Sequence, residues 1–160
     1  MRDFDDGADD GAEDDARPQT PHAVLRDTRA VYRLADAAYA PYSCPASGEC
    51  CQLAVTKRQP WLWLPEWLVL KDRLRQQGRP LPPRRPDGGC PFLDETGKRC
   101  TVYEDRPFGC RTFFCSRISG PARQPLNEVI RLSRRLEVLS SKLDSNLTGP
   151  RELWSWVEEG

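Results

Sequence analysis

Histidine is nearly missing from this chain: among 160 residues only His22 is present. With one histidine there is no HExxH pair for a hydrolytic zinc and no Cys–His couple with a usable second histidine. A Walker-type phosphate loop is also absent, as is any internal repeat. No apolar run approaches the roughly 20 residues a membrane span needs. The N-terminus is acidic, the opposite of a secretory leader, and no apolar stretch follows it. These absences set the expectation of a cytoplasmic protein without a membrane partner. Hydrophobic residues make up 38% and charged residues 30% of the chain, which is a modest apolar supply for one domain of this length.

Charge is distributed unevenly. Residues 1–20 hold eight acids against Arg2 and Arg17, a charge of −6, and the chain as a whole is neutral, so residues 21–160 carry +6. The acidic segment, residues 1–19, has almost no large apolar side chains and is expected to be a disordered, solubilising tail. Residues 20–160 are expected to form the folded domain.

What the chain does have is cysteine. Seven are present, in two groups: Cys44, Cys50 and Cys51, then Cys90, Cys100, Cys110 and Cys115. In a reducing compartment thiols are ligands rather than disulfides, and an odd number argues against full pairing. Soft thiolates suit zinc, copper(I) and iron–sulfur clusters. Four would fill a tetrahedral zinc site or hold one cluster, and bound metal would add the stability that the core lacks. The short C-x₂-C knuckles of zinc ribbons are missing, and so are ferredoxin spacings, so the pattern points to metal without choosing which one. The bland alternative is a set of small buried apolar side chains. Adjacent Cys50 and Cys51 would point to opposite faces if extended, leaving one to ligate and the other to pack or to serve a second ion.

Local signals outline the frame. Thr20-Pro21 reads as a helix start, with a helix to about Ala40 whose buried face is Val24, Leu25, Val31, Tyr32, Leu34, Ala35 and Ala38. His22, a common ligand type, falls at the water-facing start of that helix. Gln52–Thr56 reads as a short strand. Trp61–Leu64 alternates, and a second helix starts near Pro65 and ends at Gly78. Residues 79–89 form a Pro/Arg/Gly connector, read as a solvated loop, and nucleic acid is not an expected partner. Residues 90–103 read as a β-hairpin that brings Cys90 close to Cys100. Glu104–Cys110 reads as a turn or one helical turn. A third long helix covers Pro125–Asp144, with Leu126, Val129, Ile130, Leu136, Leu139 and Leu143 inward, and a short terminal helix docks Trp154. The expected fold is α+β, small and mainly helical, with helices around an irregular cysteine-rich metal centre and one short β-hairpin. Thiolates gathered on metal leave buried negative charge, which Arg106 and Arg111 beside Cys110 could balance, while Gly109 would let backbone N–H groups approach sulfur.

The stretch Cys90–Arg111, CPFLDETGKRCTVYEDRPFGCR, together with Cys44–Cys51, resembles the YkgJ-type cysteine-cluster family, CxxCxxCC, described as zinc- or iron-chelating. The resemblance implies a zinc or iron site built from these cysteines. Ser47 stands where the family pattern has its second cysteine, and Cys115 lies just beyond the pattern's end. Cys115 is expected to fill the place left by Ser47. Some members are named flagellin lysine N-methylases; the chain has no Gly-rich cofactor loop, and that activity is not carried over. Three functions fit: a metal-binding protein with a structural or sequestering site, an iron–sulfur protein with redox or transferase activity, and a structural-zinc module that binds a protein partner of undetermined kind.

Overall fold

The computed structural model describes residues 20–147 and 149–160. The expectation for the acidic tail lies outside them. Among the described residues, six α-helices and one two-stranded antiparallel sheet make a mainly helical α+β fold. Helix α1 spans Pro21–Ala38, with Thr20 as N-cap accepting a hydrogen bond from the Ala23 amide at 3.3 Å. Its inward face is Val24, Thr28, Val31, Tyr32 and Ala35; Leu34, expected inside, is exposed. Thr28 is tolerated there because its hydroxyl donates to the Val24 carbonyl at 2.8 Å.

A 3₁₀ turn over Glu49–Cys51 leads into α2, Leu53–Thr56. This segment was expected as a strand. The alternation of apolar residues was real, but only Leu53 is buried, and the chain coils tightly to face its cysteines inward. The sheet lies elsewhere than the expected hairpin: β1, Trp61–Leu62, pairs with β2, Arg151–Glu152, from the far end of the chain. Helix α3 follows over Leu64–Gln76. Residues 90–103 double back, but apart from one bridge between Leu93 and Cys100 they form no ladder. A 3₁₀ turn over Tyr103–Asp105 precedes α4, Phe108–Arg111. Helix α5 spans Leu126–Leu143 and α6 spans Leu153–Glu159.

Two apolar clusters meet across α3. One gathers Val31, Tyr32 and Ala35 of α1, Val69, Phe108, and Leu132, Leu136 and Leu139 of α5. Leu126 and Ile130, expected in this stripe, are exposed, because α5 makes its buried contacts from Leu132 onward. The other cluster sets Trp67, Leu70 and Leu74 against Leu62, Phe92, Val102, Leu153 and Trp156. Both tryptophans of α6 reach this cluster: Trp154, as expected, packs against it half-buried, and Trp156 is buried, its ring stacked near Trp67 and its indole N–H donating to the Leu62 carbonyl at 3.1 Å.

Glu66 sits where these parts join and is 1% exposed. Its carboxyl accepts hydrogen bonds from the Phe108 amide at 2.6 Å, the Trp63 amide at 3.0 Å and the Tyr32 hydroxyl at 3.2 Å. It therefore ties α1, the start of α3 and the start of α4. Nearby, Asp105 accepts from Arg29 at 3.0 Å and from Arg73 at 2.6 Å. Burial opposes ionisation of Asp105, but these two guanidinium groups outweigh it and hold the carboxyl below its ordinary value.

Burial has the opposite result at Glu66. It outweighs the three donors and pushes the carboxyl up to about 7. The folded chain thus keeps a proton that the unfolded chain loses at lower pH. Stability from this group is full below the ordinary carboxylate range and falls as pH rises to about 7. An NMR titration of the Glu66 carboxyl carbon should give a midpoint near 7. A midpoint near the ordinary value of roughly 4.3 would show that the donors win.

Candidate metal centre

Five separate segments deliver the cysteines. After α1 the chain runs extended through Ser43, which pairs with Ser119 by two backbone hydrogen bonds of 2.8 and 3.1 Å. This bridge clasps the segment bearing Cys44 to the one following Cys115. The 3₁₀ turn then presents Cys50 and Cys51. Their coiled backbone puts the two sulfurs 4.0 Å apart, so the opposite-face geometry expected of an extended pair does not hold. Cys90 is fixed to this turn by its amide, which donates to the Cys51 carbonyl at 2.8 Å. Cys100 lies across from Leu93 in the doubled-back segment, so the return of the chain pairs it with Leu93 and not with Cys90. Cys110 rides on α4, whose start Glu66 holds.

All seven cysteines, Cys44, Cys50, Cys51, Cys90, Cys100, Cys110 and Cys115, line one cavity of about 440 Å³. Ser47 lines it as well. Cys90 is buried, Cys44 is exposed and the other five are intermediate. Among the described residues no three His, Cys, Asp or Glu side chains form a group closed enough to hold a metal ion. The thiols surround a wider space.

Their electrostatics follow from sharing it. The contact with Cys51 and then burial push the Cys50 thiol far up. The hydrogen bond with Cys50 pulls Cys51 down, but its contact with Cys90, burial and the neighbouring thiols outweigh that and push it up to about 12. Burial pushes Cys100 up to about 11 and raises Cys110 against the pull of Arg58. A thiolate in this cavity repels the next one, and a multiply charged cation removes the penalty.

Arg58 escaped the sequence reading. Its Nη2 donates to the Cys110 sulfur at 3.4 Å and to the Gly109 carbonyl at 3.0 Å. The expected cations behave differently. Arg106 and Arg111 both line the cavity. The Arg111 guanidinium, however, is buried on the Tyr32 ring, paired with Asp36, and donates to the Arg106 and Glu104 carbonyls. Arg106 stacks on Tyr103 at 4.0 Å and donates to its carbonyl at 3.0 Å. Gly109 does not need its lack of a side chain for space: an added Cβ would meet the Trp61 carbonyl oxygen at an ordinary 3.8 Å. His22 is exposed on α1 beside Arg26 and Arg29, in another cleft than the cysteine cavity. Of the connector arginines, Arg79 and Arg84 are exposed as expected, Arg84 in a surface pair with Glu158, whereas Arg85 is half-buried and donates to the Asp94 carbonyl at 2.9 Å.

A cavity walled by thiols, with no histidine and few carboxylates, fits the soft or borderline metals that sulfur binds. The helical frame and the thiol-walled cavity together define a small cysteine-cluster domain. The chain belongs to the CxxCxxCC family, described as "Putative zinc- or iron-chelating domain", which it matches over residues 43–129, more than half its length. No curated protein and no solved structure matches the chain. None of the helices among the described residues is long and apolar enough to cross a membrane.

Gly48 is the glycine on which the cavity depends. Its φ is +73°, and a Cβ there would lie 2.6 Å from the Lys98 carbonyl oxygen. It lets the Cys50–Cys51 turn approach the segment that carries Cys100. Gly48→Ala should cost roughly 1–3 kcal/mol of stability, through a left-handed backbone and a clash with main chain. Denaturant unfolding checks the cost, and a variant as stable as the parent would show that the two segments are free to separate.

Proposed function

We propose that this protein binds zinc or iron through the thiolates of Cys44, Cys50, Cys51, Cys90, Cys100, Cys110 and Cys115. The observation that carries the reading is the convergence of all seven on one cavity. Membership of a zinc- or iron-chelating family supports it. Cys50, Cys51, Cys90, Cys100 and Cys110 make the inner set, each electrostatically coupled to at least one other. Cys44 and Cys115 stand on the clasped arms. Cys115 supplies the thiolate that Ser47 does not, since a serine hydroxyl rarely ionises at neutral pH. Because Cys50, Cys51, Cys100 and Cys110 resist ionisation, metal uptake expels protons as it forms the thiolates.

A polynuclear centre, such as an iron–sulfur cluster, is a second reading. Seven thiols exceed the four that one tetrahedral ion takes, and about 440 Å³ is far more space than a single ion fills. Neither reading assigns an activity.

Protein purified without oxygen is the material for the test. Metal analysis should find zinc or iron, and a brown protein with labile sulfide would select the cluster. Metal present at a hundredfold excess over Kd should add about 2.7 kcal/mol of stability, which chelation removes. Cys110→Ser and Cys115→Ser should each lose most of the bound metal, and adding Ser47→Cys to the latter should restore part of it. Metal-free protein of unchanged stability would end the reading. Full metal content in Cys115→Ala would remove Cys115 from the ligand set and leave it as a small packed side chain.

A further inference from the structure

Building on the metal reading above, we infer that Arg58 is the positioning residue of the centre. Its guanidinium is the internal counter-ion of the thiolates, and it braces the end of α2 against α4.

The local fold aims this side chain deliberately. Lys57 closes α2 in the left-handed conformation, with φ of 56°, and turns the chain toward the cavity. The Arg58 amide then donates to the Thr56 hydroxyl at 3.4 Å, which fixes the start of the side chain. The guanidinium carbon lies over the Phe113 ring, 4.2 Å from its centroid. From that shelf Nη2 reaches both the Gly109 carbonyl, at 3.0 Å, and the Cys110 sulfur, at 3.4 Å. One planar group thus joins α2 to α4 and places a permanent positive charge against sulfur. It lines the cavity together with Cys50, Cys51 and Cys110, thiols from both cysteine groups.

The other arginines on the cavity are committed elsewhere. Arg111 is spent on Asp36 and two carbonyls, Arg106 on Tyr103 and the nearby Asp36, and Arg117 on Glu49. Among the described residues Arg58 is the arginine that donates to a cysteine sulfur. Four thiolates around a divalent ion leave a charge of about −2, and a fixed cation in contact with one of them lowers the cost of holding that charge out of water.

The test compares Arg58→Met, Arg58→Gln and Arg58→Lys with the parent chain. Zinc affinity is measured by competition with a chelator of known strength. Cobalt(II) loading adds the sulfur-to-metal charge-transfer band, which reports thiolate geometry independently of fold stability. The two uncharged variants should bind zinc about 10–100-fold more weakly, the usual effect of losing a partner of a ligand, and should shift the cobalt band. Gln keeps a donor for the Gly109 carbonyl, so it tests the charge if Met proves too disruptive to fold. Lys should recover most of the affinity. The inference is overturned if both uncharged variants match the parent in affinity and spectrum, or if Lys is as weak as Met. A parent chain that binds neither zinc nor ferrous iron would instead overturn the metal reading itself.

Discussion

The Glu66 carboxyl receives one hydrogen bond from a side chain of α1, one from the backbone that opens α3 and one from the backbone that opens α4. A buried carboxyl is costly unless its oxygens are satisfied, and satisfying them here requires three elements to meet at one point. Helix α4 has only four residues and could not persist alone. It exists because its first amide is held by Glu66 and its last residue, Arg111, is locked over Tyr32. Cys110 sits between those two anchors. The location of that thiol is therefore a property of the helical core and not of the loop that surrounds it.

The same arrangement explains the division of labour among the arginines. Arg111 has the sequence position of a charge partner for Cys110, one residue away. A residue on a helical turn points about 100° from its neighbour, so adjacency in sequence carries the two side chains apart. Both residues line the cavity, but the Arg111 guanidinium goes to Tyr32 and Asp36 while the Cys110 sulfur meets Arg58. The cation that meets the sulfur comes from 52 residues earlier in the chain.

Long helices were legible in the sequence because their signals are local: Thr20-Pro21 at one start, the proline before Trp67's turn at another, a leucine stripe in the third. The cysteine-rich character of the centre was legible from composition, and its family from CPFL, the cysteine before V-Y, and RP followed by CR. What was not legible depends on distant partners. Trp61–Leu62 lies in a stretch that alternates, but nothing marks Arg151–Glu152 as its partner, and only their meeting makes a sheet. Gln52–Thr56 alternates like a strand, yet coils because the Cys50–Cys51 turn feeds directly into it. Trp154 and Trp156 are equivalent by composition; the Leu62 carbonyl selects Trp156 as the buried one. Arg58 is one arginine among many until Lys57 adopts a left-handed turn and Phe113 supplies a shelf.

The Ser43–Ser119 bridge has a kinetic meaning. Two backbone hydrogen bonds join the arm of Cys44 to the arm beyond Cys115, outside both apolar clusters. Releasing them exposes no buried leucine or tryptophan and leaves Glu66 and its three donors untouched. Opening of this kind needs far less free energy than global unfolding. The Tyr42–Phe114 ring contact, the Tyr42 hydroxyl on the Arg123 carbonyl and the Arg117–Glu49 pair join the same two arms. The cavity wall thus combines arms held by contacts of their own with a floor built on the helical core.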